Sequence, residues 1–150
     1  MTTTPEVPQL LAFLLCEDIL DQEGVVTLYR VVDTFNISMG VSSLPPEVTS
    51  KIGVCIKFEV FVRWGPGAGE FEQYLALVRP GQEEESPTPP QKFSKPEGFN
   101  FQQVRYPIEM MAIEEGIYKM RLYLNGEPVA ENPFRVNITV TAEPGTPKQS

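Results

Sequence analysis

The stretch Lys51–Trp64 alternates in steps of two along its whole length. Ile52, Val54, Ile56, Phe58, Val60, Val62 and Trp64 fall on one face. Lys51, Gly53, Cys55, Lys57, Glu59 and Arg63 fall on the other, with Phe61 the single apolar residue among them. Successive side chains of a strand point to opposite sides of a sheet, so this pattern predicts a strand with one dry and one wet face. The same period recurs along the chain, whereas the helical period of 3.6 almost never does.

Gly65-Pro66-Gly67-Ala68-Gly69 then leads into Glu70–Arg79, where Phe71, Leu75 and Leu77 share a face; the pair reads as a hairpin. A second hairpin closes the chain. Tyr118, Met120, Leu122 and Leu124 alternate with Ile117, Lys119, Arg121 and Tyr123, and Phe134, Val136, Ile138 and Val140 alternate on the return. Asn125-Gly126 stands between them, and both residue types accept the positive φ of a two-residue turn. Leu10–Cys16 and Val25–Ile37 form a first pair joined by the acidic loop Glu17–Gly24, and Phe99–Ile113 supplies another strand, interrupted at Pro107. Seven strands result, with no helix beyond one possible turn at Pro45–Ser50. Fifteen prolines in 150 residues suit short strands and many loops, because proline is excluded from helix interiors and central strands. The expectation is an all-β, two-sheet antiparallel sandwich.

One domain over residues 9–140 fits the length. Residues 1–8 and 141–150 read as flexible polar tails. Pro80–Gly98 reads as a long acidic and proline-rich loop, of a length that is usually functional or disordered.

The run Glu114-Glu115-Gly116-Ile117-Tyr118 resembles the acid-x-Gly-x-Tyr signature before the penultimate strand of immunoglobulin-like domains, with Met120 where a true immunoglobulin domain has its second cysteine. The resemblance implies an immunoglobulin-like sandwich whose Tyr118 hydroxyl bonds back to nearby backbone as a tyrosine corner. The opening Pro8–Asp18, the acid-rich turn, Leu28–Phe35, the Gly-x-Tyr strand and the Asn-Gly-Glu hairpin are together similar to an uncharacterised bacterial all-β family, over most of residues 8–140. That likeness implies a fold and a bacterial source, and no activity.

Composition excludes several function classes. The net charge is −8, from 12 basic and 20 acidic residues, and no basic cluster exists. Nucleic acid and anionic membrane are therefore not expected as partners. There is no histidine, the usual acid–base group near neutral pH. No Ser-x-x-Lys motif occurs either, so no enzyme, catalytic residue or cofactor is expected. Cys16 and Cys55 read as ordinary thiols. The start lacks the charged region of a signal peptide. Leu10–Cys16 is too short to span a bilayer, and the chain reads as soluble and cytoplasmic. Gly65–Gly69 precedes a strand, not the helix a phosphate loop requires. Asn36-Ile37-Ser38 and Asn137-Ile138-Thr139 match the glycosylation pattern by coincidence.

Two loops remain as candidate sites. In Pro80–Gly98, Glu83, Glu84 and Glu85 form a negative patch, Pro87–Pro90 favours polyproline II, and Phe93 stands alone among polar residues as an interface anchor would. The leading expectation is a non-enzymatic protein-interaction or assembly module, using this loop or the edge strands of the sandwich, with a protein partner or a second copy. The alternative is a small-ligand or calcium-binding module, with Glu17, Asp18, Asp21 and Glu23 as oxygen ligands in one turn.

Overall fold

A computed structural model describes residues 7–23, 25–40, 54–98, 101–112 and 114–141. The expected tails, apart from residues 7, 8 and 141, and the turn at 45–50 lie outside the described residues. The strands are β1 (Leu10–Gln22), β2 (Val25–Val31), β3 (Thr34–Gly40), β4 (Val54–Trp64), β5 (Gly69–Val78), β6 (Glu85–Pro87), β7 (Gln91–Lys95), β8 (Gln102–Ala112), β9 (Gly116–Leu124) and β10 (Glu127–Thr141). They form two open sheets packed as a sandwich. A four-stranded sheet runs β2-β1-β4-β8, and a six-stranded sheet runs β3-β10-β9-β5-β6, with β7 also on β5. All pairings are antiparallel except β3 on β10, which is parallel. Among the described residues no helix is long and apolar enough to cross a membrane.

The dry faces predicted from alternation make the core. Phe58, Val60, Val62 and Trp64 of β4 face Leu75, Tyr118, Met120, Leu122 and Phe134 of the larger sheet, all nearly or fully buried. Burial of each such side chain stabilises the fold by roughly 1.5–3 kcal/mol relative to exposure. Phe58 and Phe134 meet at 5.7 Å between ring centroids, and Tyr118 stacks on Phe134 at 5.4 Å. The Tyr118 hydroxyl donates to the Glu114 carbonyl at 2.7 Å. Trp64 donates from Nε1 to Oε1 of buried Gln73 at 2.9 Å, which satisfies the one polar group the indole brings into the core.

The structure departs from the expectation in four places, of which the second and third raise the strand count among the described residues from seven to ten. First, β4 and β5 do not pair: they lie in different sheets, so Gly65–Ala68 carries the chain across the sandwich instead of closing a hairpin. Gly69, at φ 130°, completes the crossing. Second, Val25–Ile37 is two strands. Arg30 takes a left-handed φ of 55°, Val32 N–H still bonds the Leu15 carbonyl at 2.8 Å, and Arg135 N–H then bonds the Asp33 carbonyl at 2.9 Å. The chain thus changes sheets between β2 and β3. Third, Pro80–Gly98 is not a free loop, since β6 and β7 both extend the β5 edge. Fourth, β8 runs through Pro107 without interruption, paired with Glu59 of β4. Proline is tolerated there because β8 is an edge strand and the missing N–H faces away from β4.

The terminal hairpin forms where expected. Asn125 and Gly126 adopt φ of 51° and 79° between β9 and β10. Asn125 also clamps the neighbouring strand: its N–H donates to the Glu72 carbonyl at 2.7 Å, and its Oδ1 accepts the Glu72 N–H at 2.9 Å.

Candidate interaction surface

Phe61 points to the outer face of β4, where alternation predicts a wet position, yet it is only 7% exposed. The β1–β2 ribbon covers it. β1 pairs with β4 through Cys16 and with β2 from Cys16 to Gln22, so beyond Cys16 the ribbon leaves the sheet and folds back over its outer face. Ile19, Val26 and Leu28 lie on the inner face of the ribbon and pack with Phe61, Cys16 and Ala12 into a second, smaller apolar cluster.

Glu59 fixes the ribbon from below. One carboxylate oxygen accepts from Arg105 Nε and Nη2 at 3.0 and 2.6 Å, and the other accepts the Ile19 N–H at 2.9 Å. With its own ion partner and a backbone donor in place, a nearly buried carboxylate is tolerated. The Cys16 thiol donates to the Glu59 carbonyl at 3.6 Å. Burial, then the Glu59 and Asp18 charges, push its pKa up and keep it a neutral thiol. Cys16 and Cys55 are both free.

The opposite face of the ribbon is open. Cross-strand pairs share a face, and Leu20↔Thr27, Gln22↔Val25 and Asp18↔Tyr29 place Leu20, Gln22, Val25, Thr27 and Tyr29 together, while the Asp18 carboxylate turns back to accept the Ile19 N–H at 2.8 Å. Leu20 is 39%, Val25 70%, Tyr29 49% and Val31 57% exposed. The far edge of β2 pairs with nothing among the described residues. Because the Ile19 N–H is taken by carboxylates, Ile19↔Leu28 is a non-hydrogen-bonded pair of the ladder. Such pairs alternate, so Val26 and Leu28 direct their N–H and C=O groups outward along that edge.

The expected acidic turn is mostly strand. Glu17, Asp18 and Asp21 belong to β1, and only Glu23 lies in the turn, at φ 52°. Glu17 and Asp21 therefore have the parity of the inner face, and Asp18, of the opposite parity, turns its carboxylate to the Ile19 N–H that Glu59 also accepts. The four carboxylates do not converge, and no group of three or more potential ligands is disposed to hold a metal ion among the described residues. Glu17 instead bonds Arg30 at 3.5 Å. Glu17 and Asp18 line a groove of about 420 Å³ with Lys57, Glu59, Arg105 and Glu109, between the ribbon and β8.

Phe93 is held by the core rather than left isolated. It lies on β7, half-buried against Phe71 and Trp64, with ring centroids at 5.5 and 6.4 Å. Glu85 lies on β6 and accepts from the Tyr123 hydroxyl and from Arg121, whose other side meets Glu131 at 2.9 Å. Glu83 and Glu84 remain exposed before β6. Sequence reasoning missed the outer face of β2, whose signal was the unexplained Phe61: an apolar side chain on a wet face requires something to cover it.

No protein-family model matches the chain, and neither does any curated protein. Among solved structures, Beta-D-glucoside glucohydrolase from Trichoderma reesei is 7% identical over 87% of this chain and 19% of its own, with a TM-score of 0.50. Beta-glucosidase from Listeria innocua in complex with glucose is 12% identical over 87% of this chain and 16% of its own, with a TM-score of 0.44. Pseudomonas fluorescens alkylpurine DNA glycosylase AlkC bound to DNA containing an abasic site analog is 11% identical over 83% and 30%, with a TM-score of 0.41. The chain thus spans less than a third of each of these, and the likeness to the Trichoderma structure bears on the fold alone.

Proposed function

We propose that this chain is a non-enzymatic protein-interaction or assembly module, which recruits an extended segment of a partner to the edge of β2 that pairs with nothing among the described residues. The observation that carries the reading is the exposed apolar face of the ribbon, Leu20, Val25 and Tyr29, beside an open row of backbone donors and acceptors. Unpaired strand edges template pairing with another chain, and proteins normally blunt them with proline, charge or very short strands. Three other edges here are blunted in that way, whereas the edge strands β3 and β7 carry no proline. β8 carries Pro107, β6 is three residues long and ends at Pro87, and Pro128 and Pro133 bracket the part of β10 that precedes its pairing with β3. β2 has no proline and presents apolar side chains instead. Backbone bonds along such an edge give affinity, and pockets beside alternate side chains give specificity.

The sandwich is read as immunoglobulin-like on three features. They are the Tyr118–Glu114 bond, the buried Met120 two residues on, and the β9–β10 hairpin. Free thiols at Cys16 and Cys55 support a reducing, cytoplasmic setting, and the family resemblance supports a bacterial source.

The test is affinity capture from bacterial lysate with quantitative mass spectrometry, comparing the intact chain with a Val25→Lys/Tyr29→Lys double variant. Both positions are exposed, so the variant keeps the core. Proteins held by the intact chain and lost by the variant are the expected result. The same set on both would place any partner elsewhere and remove the β2 reading.

A further inference from the structure

We infer that Asn125 is a site of spontaneous covalent modification that the folded hairpin holds in check: the Gly126 nitrogen attacks the Asn125 carboxamide only from a flipped form of the β9–β10 turn.

Sequence supplies the reactive pair. Attack on an asparagine side chain by the next backbone nitrogen closes a cyclic imide, and a side chain on the attacking residue crowds that closure. Of the five asparagines, Asn125 alone precedes glycine; Asn36, Asn100, Asn132 and Asn137 precede isoleucine, phenylalanine, proline and isoleucine. Asn125 and Gly126 are both exposed, so water reaches them. The N–Cγ bond forms as the bond from Cγ to the amide nitrogen breaks, and ammonia leaves with the proton of the Gly126 N–H. Water then opens the imide at Cγ to give aspartate, or at the Asn125 backbone carbonyl to give isoaspartate.

Turn geometry withholds the reaction. With φ of 51° and 79° at its two central residues, the turn is of type I′. That type sets ψ of its first central residue at about +30°. Ring closure needs the Asn125 Cβ and the Gly126 nitrogen on the same side of the Cα–C bond, which puts ψ at about −120°, the type II′ value. The peptide plane between the two residues must therefore turn over, and the Gly126 φ goes from 79° to about −80°. A two-residue hairpin accepts type II′ as well as type I′, so the strands need not part. The side chain is held too: Asn125 Oδ1 accepts the Glu72 N–H at 2.9 Å, which directs the carboxamide toward β5. The two products differ in consequence. Aspartate keeps an acceptor for the Glu72 N–H, whereas isoaspartate inserts a backbone carbon into a two-residue turn.

Peptide mapping by mass spectrometry tests this on the full chain, folded in mildly alkaline buffer and unfolded in urea at the same pH. Conversion at Asn125 is expected to be about tenfold or more slower in the folded chain, because a hydrogen bond and a preferred turn must both be given up. Gly126→Ala reads the flip itself. The added Cβ meets nothing within 4 Å, and alanine disfavours a φ of 79° while accepting the type II′ value. The ratio of unfolded to folded rates should therefore shrink in Gly126→Ala, and the slower attack by an alanine nitrogen cancels in that ratio. Equal rates in the folded and unfolded parent overturn the protection by the turn. Absence of conversion at Asn125 in the unfolded chain overturns the site. A ratio as large in Gly126→Ala as in the parent overturns the flipped turn as the reactive form.

Discussion

Replacing Phe61 with Ala distinguishes the observed structure from a plain two-faced strand. If β4 were dry on one face and wet on the other, position 61 would be a surface site, and its substitution would change stability by no more than about 0.5 kcal/mol. In the structure Phe61 is 7% exposed and is the largest member of the cluster that joins the ribbon to the sheet. Truncation of a buried Phe costs about 3–5 kcal/mol. The low end applies, about 3 kcal/mol, because Ala12, Val26 and Leu28 around it are only partly buried and can close on the vacated space. With a urea dependence of about 2 kcal/mol per molar, the unfolding midpoint should fall by about 1.5 M. The melting temperature should fall by about 6–12 °C for a domain of this size. Amide exchange at Thr27 and Tyr29, which face β1, should rise as the ribbon loosens. Phe61→Leu should recover most of the loss. A midpoint within about 0.25 M of the parent would show that the ribbon does not rest on Phe61, and the account of the β2 surface would lose its support.

Three further substitutions test the packing elsewhere. Tyr106→Phe should raise stability by about 1 kcal/mol at neutral pH, because the buried Tyr106 hydroxyl has no hydrogen-bond partner among the described residues. Burial also lifts the Tyr106 pKa from 10.0 to about 12, so the parent should lose about 1.4 kcal/mol per pH unit as pH rises from 10.0 to about 12, and Tyr106→Phe should not share that loss. Glu85 has its pKa held below the ordinary 4.5, first by the Tyr123 hydroxyl and then by Arg121. Its contribution is present above 4.5 and lost as pH falls through the lowered value, so Glu85→Gln should flatten that part of an acid denaturation curve. Asn125→Ala should cost about 1–2 kcal/mol in denaturant unfolding, since it loses the bond to the Glu72 N–H and places a residue less tolerant of positive φ in the turn.

Local rules made the terminal hairpin legible, and non-local ones hid the rest. Asn125-Gly126 carries the conformation of its own turn, so β9 and β10 are readable without knowing what they pack against. The alternation of β4 is equally plain, but it states only that one face is dry. Nothing in Gly65–Gly69 distinguishes a turn within a sheet from a passage between sheets. The β2–β3 break depends on a left-handed Arg30, a conformation that no property of arginine announces. Proline misled in Pro80–Gly98 for a related reason: an edge strand tolerates it. There Thr88 bonds the Leu75 N–H through Oγ1 at 3.0 Å and donates its own N–H to the Leu75 carbonyl at 2.8 Å.

The acidic segment shows why the candidate surface was the hardest part to read. A strand in a covered sheet alternates visibly because one side is dry throughout. Residues 17–31 form a two-stranded ribbon with one face on a small patch around Phe61 and the other facing solvent. Leu20, Gln22, Val25, Thr27 and Tyr29 share the open face, so polar and apolar residues mix there and no period emerges. Charge then suggested a loop, and four carboxylates close in sequence suggested a cation site. Strand geometry separates those carboxylates in space while leaving them around one apolar row. A mixed pattern on an exposed ribbon is costly to keep for solubility alone, because Val25, Tyr29 and Val31 gain little from water. Under the proposed reading, it is the pattern of a strand edge open to another chain.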